Sequence, residues 1–147
     1  MNKIPVNCAE RITNTIVELV FKDSFWGYLF SKLDRKEDKT IPSLMGVSPE
    51  MDGTIALLYN PNFINLADDD FIRACLEHEG IHVLNNHIPR LLRIISDEVT
   101  EKAKDQKAKK WNVAADCAVN TLINIKRSYL LDGKIPFELH FPDLYKL

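Results

Sequence analysis

Cysteine is scarce in this chain and poorly placed for cross-linking. Cys8, Cys75 and Cys117 are odd in number and widely spaced, and no CxxC pair exists. That argues against a disulfide framework and against a thiolate zinc knuckle, and favours a reducing, cytoplasmic setting. Long hydrophobic runs are missing as well. Nothing approaches the length of a membrane span, and Met1-Asn2-Lys3-Ile4-Pro5 has no apolar segment of the secretory kind, so no membrane association is expected. Charge of one sign is not in excess: 19 Lys and Arg stand against 21 Asp and Glu, for a net charge of −2. No global basic field invites nucleic acid, and no acidic tail is present. Repeats, low-complexity tracts and an interdomain linker are absent too.

What remains is an ordinary globular composition, 46% hydrophobic and 27% charged over 147 residues, which fits a single domain, 1–147, with a core of its own. Histidine is rare, with four in the chain, yet His78, His82 and His87 fall within ten residues. The first two form His78-Glu79-x-x-His82. On a helix, residues four apart lie one turn above each other, so both imidazoles can meet one metal ion while Glu79 stands beside it. Two histidine ligands, an open coordination position and a carboxylate base make up the zinc-hydrolase arrangement.

The surrounding pattern predicts an α+β, zincin-like fold, mostly helical with a small β-sheet beside the motif helix. Asn7 caps a first helix to about Lys22, and Asp23-Ser24 caps a second, Phe25 to about Leu33, so that helices fill residues 7–34. The aromatics of the second, Phe25, Trp26, Tyr28 and Phe30, read as core packing. Asp34 to Lys39 reads as a charged turn. A sheet is expected over residues 41–60: a strand at Ile41–Val47, a turn through Asp52-Gly53 and a strand at Thr54–Tyr59. The motif helix, capped by Asp69 or Asp70 and spanning about 70–86, is apolar nearly all round and therefore buried. Asn85-Asn86 and Pro89 end it. The charged stretch 91–110 reads as a solvated helix or a mobile loop, a second site helix covers 107–126, and loops follow from Ser128 to Leu147.

A catalytic zinc usually has three protein ligands. His87 lies about 180° from His78 on a continuous helix, and can ligate only if the chain breaks at Asn85-Asn86 and swings back. Asp116 belongs to a recurrent polar face, Asn112, Asp116 and Asn120, set among small apolar residues where a lone carboxylate needs a partner. Asp116 is the favoured third ligand and His87 the alternative.

The combination His78-Glu79-x-x-His82-x-x-x-x-His87-x-x-Arg90 with Trp111-Asn112-x-Ala114-Ala115-Asp116-x-x-x-Asn120, preceded by Tyr59-Asn60-Pro61, resembles a bacterial and phage metallopeptidase domain family. That domain often accompanies a von Willebrand A-like domain, for which this chain has no room, and the stretch between Arg90 and Trp111 is a long charged insert. The resemblance spans about residues 41 to 125. It implies zinc as cofactor, His78 and His82 as ligands, Glu79 as base, and His87, Arg90, Asn112, Asp116 and Asn120 as motif positions. A peptide or protein substrate, and room for a protein partner, go with it; no nucleic acid is expected. Oxyanion support falls to His87, Arg90 or a tyrosine such as Tyr129. The competing reading is a non-catalytic phage or bacterial regulator with the metal as a structural pin, for which His78, His82, His87 and Asp116 would form a closed four-ligand site.

Overall fold

The computed structural model describes residues 7–122. It is a mixed α+β structure in which one buried helix carries the histidine motif and five other elements pack against it. Helix α1, Cys8–Lys22, starts where expected: Asn7 Oδ1 accepts the Glu10 N–H at 2.8 Å and satisfies one of the open donors of the first turn. Ile12 and Leu19 are buried on its inner face, with Thr15 between them bonded back to the Arg11 carbonyl. Helix α2, Phe25–Ser31, is shorter than the pattern suggests. Its aromatics also divide. Phe30 is buried and stacks with Trp26, whereas Phe25 and Tyr28 are exposed, so only half of the stripe is core.

The segment read as a charged turn is instead a strand. β1, Asp34–Glu37, pairs in parallel with β3, Ile55–Tyr59, from Asp34 opposite Ala56 to Glu37 opposite Tyr59. All four β1 residues are exposed, which suits an edge strand. β2, Met45–Pro49, pairs antiparallel with the other side of β3, giving the order β1-β3-β2. The hairpin turn lies where Asp52-Gly53 places it. The Glu50 N–H reaches the Thr54 carbonyl at 2.8 Å, and Gly53 takes φ +87°, open to glycine at no steric cost. The strand expected from Ile41 begins four residues later because Asn60 diverts the chain. Its buried amide donates to the carbonyls of Lys39 (3.3 Å) and Ile41 (3.0 Å), groups that a strand would have paired along its edge.

Asn60 also caps α3, Pro61–Ile64, with Pro61 in the first turn, where its missing N–H costs nothing. Helix α4, Asp69–Leu84, is the motif helix. Its cap is Asp68, one residue before the expected position, accepting the Phe71 N–H at 2.7 Å. Phe71, Ile72, Ala74, Leu76 and Gly80 are buried around much of its circumference, as its composition required. α1, α2, β2, α5 and α6 all pack against it.

Asn86 then adopts a left-handed conformation (φ 54°, ψ 37°), which asparagine tolerates better than most residues, and the chain turns into α5, His87–Ile95. The last helix among the described residues, α6, Glu101–Leu122, begins six residues before the expected 107. The charged stretch thus resolves into α5, a short link, and the solvated first half of α6, where Lys107 pairs with Glu98. The expected helix end at 126, the loops from 128 and Tyr129 lie outside the described residues. Among those described, no helix is long and apolar enough to cross a membrane.

Candidate metal centre

Three donors converge between α4 and α6. His78 Nε2 lies 3.1 Å from Asp116 Oδ1, His82 Nε2 lies 2.8 Å from the same oxygen, and the two imidazole nitrogens are 3.0 Å apart. The four-residue spacing on α4 sets the imidazoles one above the other, with ring centroids 4.6 Å apart. Asp116 arrives because α6 buries Ala115 and Val119 against the core, which turns the adjoining Asp116 toward the histidines. Small side chains on that face permit the close approach.

The donor set fits a metal ion. A tetrahedral ion with ligands at about 2.0–2.1 Å holds its donors roughly 3.3 Å apart. The separations here are a few tenths of an ångström shorter, so a small outward adjustment seats the ion. His78 and His82 are 7% and 9% exposed, too buried for ordinary surface residues, yet their Nε2 atoms face each other and a carboxylate rather than apolar side chains. Among the described residues, this trio is the group of histidine, cysteine or acidic side chains placed to hold a metal.

Electrostatics reinforce the arrangement. Burial alone raises the Asp116 carboxyl, but the hydrogen bonds with His78 and His82 outweigh it and bring its pKa down to about 2. Asp116 is therefore an anion at neutral pH. Glu79 is affected in the opposite sense: burial raises its carboxyl above the usual range, against the downward pull of His78 and His82. It is not one of the three donors but lines the same cavity.

His87 does come back to the site, as a break at Asn86 requires, but to a different point. Its Nδ1 lies 2.8 Å from Nδ1 of His82, the ring nitrogen directed away from the trio. Burial, with His82 and Arg90 nearby, holds its pKa below the ordinary histidine value. Trp111, five residues before Asp116 on α6, donates its indole N–H to the His87 carbonyl at 3.2 Å, and Arg90 lies over its ring. Asn112 is exposed at the rim of the cavity. The Asn120 side chain lies outside the described residues.

The cavity in front of the donors has a volume of about 440 Å³. One wall is β2 with the residues leading into it, including Leu44, Met45 and Val47; another is Ile88, Leu91 and Trp111 from α5 and α6. β2 is an outer strand of the sheet among the described residues, and its Met45, Gly46 and Val47 line the cleft. The sequence motif includes Trp111 but assigns it no role; the structure brings it to the site through its bond to the His87 carbonyl.

A buried helix with two histidines and an adjacent glutamate, answered by an aspartate from a second helix, is the kind of centre found in metal-dependent hydrolases. Comparison narrows the class: residues 7–132 match a family described as "Putative metallopeptidase domain", and the chain belongs to that family. No curated protein and no solved structure matches the chain.

Proposed function

We propose that the chain is a zinc-dependent peptidase of zincin-like architecture, with His78, His82 and Asp116 as the metal ligands and Glu79 as general base. The observation that carries this reading is the convergence of three donors on one point with Glu79 on the cavity wall beside them. Imidazole with a single carboxylate suits zinc, and three protein ligands leave a position for water or substrate, as in catalytic rather than structural sites. The position of His87 weighs against a closed four-ligand pin, since it engages the outer nitrogen of His82.

When bound, the metal supplies Lewis acidity, polarising a carbonyl oxygen and bringing the pKa of water to about 7. Glu79 accepts the proton of the attacking water and passes it to the departing amine nitrogen. An extended peptide added alongside β2, an outer strand among the described residues, would be held by main-chain hydrogen bonds with a substrate bond near the donors. Leu44, Val47, Ile88 and Leu91 favour an apolar substrate side chain in the cleft.

Two measurements test the reading. Purified protein should take up one equivalent of zinc, read by elemental analysis after dialysis. Glu79→Gln should keep that zinc and lose at least about 100-fold in cleavage of a peptide library scored by mass spectrometry. A chain that does not bind zinc, or a Glu79→Gln variant with full activity, overturns it.

A further inference from the structure

We propose that Trp111 is a positioning residue for the metal centre, acting through His87 on the ligand His82. The inference rests on the metal reading above and concerns how one of its ligands is held.

Ligation through Nε2 obliges the His82 ring to carry its hydrogen on Nδ1. The partner of that nitrogen is Nδ1 of His87, 2.8 Å away, which then accepts through its lone pair. A ligating histidine is oriented by the group that its other nitrogen addresses, and this group sets both the tautomer and the tilt of the ring. In most metal sites it is a carboxylate, a carbonyl or a water. Here it is a second imidazole, so the question passes to what holds His87.

Its own segment offers little. His87 is the first residue of α5, directly after the left-handed Asn86, and Asn86 makes no side-chain capping bond to that helix. Trp111 makes up the deficit twice. Its indole N–H holds the His87 carbonyl at 3.2 Å, fixing the backbone at the start of α5. Its ring stands at 87° to the His87 imidazole, with centroids 6.0 Å apart, which restricts rotation of that ring. Arg90, in the same first turn of α5, lies 5.0 Å from the indole centroid and adds a cation–π hold. α6 therefore serves the centre in two ways: it contributes Asp116 directly, and through Trp111 and His87 it aims a donor belonging to α4. Phenylalanine would supply the ring without the N–H, which makes the two contributions separable.

The test is zinc affinity, measured by competition with a chromophoric chelator, alongside the visible spectrum of the cobalt-substituted protein. Trp111→Phe should weaken zinc about 10-fold and shift the cobalt bands, and His87→Ala should weaken it by about 10- to 100-fold, the range expected when the support of a ligand is removed. The double variant should bind no more weakly than His87→Ala alone, because both changes cut one chain of contacts. Wild-type affinity and spectrum in Trp111→Phe, or losses that add in the double variant, overturn the proposal. The additivity criterion holds even where Trp111→Phe lowers the melting temperature of the metal-free chain, since a general loss of stability adds to the loss at His87. Failure of the wild-type chain to bind zinc would instead overturn the metal reading, so the two failures are distinguishable.

Discussion

Alanine at Gly80 tests how tightly α2 is seated on the motif helix. A Cβ built at Gly80 would lie 2.8 Å from Cζ3 of Trp26, 3.1 Å from Cδ2 of Leu29 and 3.5 Å from Cζ of Phe30. Two opposing effects follow. Alanine in place of a mid-helix glycine favours the helix by about 1 kcal/mol. Forcing a methyl group into a packed interior costs about 1–3 kcal/mol. The geometry places the cost near the upper end of that range, because Cζ3 belongs to a rigid indole stacked on buried Phe30 and has no flexible tip to swing aside. The net expectation is a loss of about 1–2 kcal/mol, or roughly 3–6 °C in melting temperature for a chain of this size. Urea denaturation with an unchanged slope would give the free energy, and thermal melting the temperature. Adding Trp26→Leu should recover about 1 kcal/mol or more in a double-mutant cycle by opening the space that the methyl needs. Two residues along a helix is 200°, so Gly80 faces away from His78 and His82 alike, and zinc affinity should stay close to wild type. A Gly80→Ala chain as stable as wild type, or more stable, would show that the α2–α4 contact is slack and that helix propensity decides.

Two further substitutions probe the supports around the site. Asn60→Ala removes the amide that holds the Lys39 and Ile41 carbonyls and the oxygen that caps α3, all from a buried position; about 2–3 kcal/mol should be lost, measured by urea denaturation. A loss below about 0.5 kcal/mol would mean that water replaces those bonds freely. Asp68→Ala should cost about 1 kcal/mol through loss of the α4 cap, whereas Asp68→Asn, which keeps an accepting oxygen, should cost much less; equal losses would place the effect on charge rather than on the cap.

Elements whose pattern reports burial were legible in the sequence. α1 and α4 declare themselves through a capping residue followed by apolar residues at helical spacing, and β3 through a short apolar run ended by Asn60-Pro61. β1 was illegible for the complementary reason. Asp34, Arg35, Lys36 and Glu37 bury neither face, so no alternation exists to be read, and the strand is defined by backbone pairing with β3 alone. The start of β2 was misplaced because the competing bonds come from Asn60, 19 and 21 residues farther along, a distance beyond any local pattern. The early start of α6 hid in charge: its first turns face water, and a solvated helix and a loop have nearly the same composition.

The position of His87 marks the limit of periodicity more sharply. Helical arithmetic places it opposite His78, and the pair Asn85-Asn86 announces a break, so a return toward the histidines was legible. Where it would land was not. The start of α5 is tied to α6 by Trp111, 24 residues farther along, whose indole N–H donates to the His87 carbonyl. Because that contact brings His87 to Nδ1 of His82 instead of Nε2, the point where three donors meet is left to Asp116. The two candidates for a third ligand thus occupy the two nitrogens of one imidazole ring. The polar face shared by Asn112, Asp116 and Asn120 already favoured Asp116 in the sequence; what local spacing could not give was the point at which His87 meets the His82 ring.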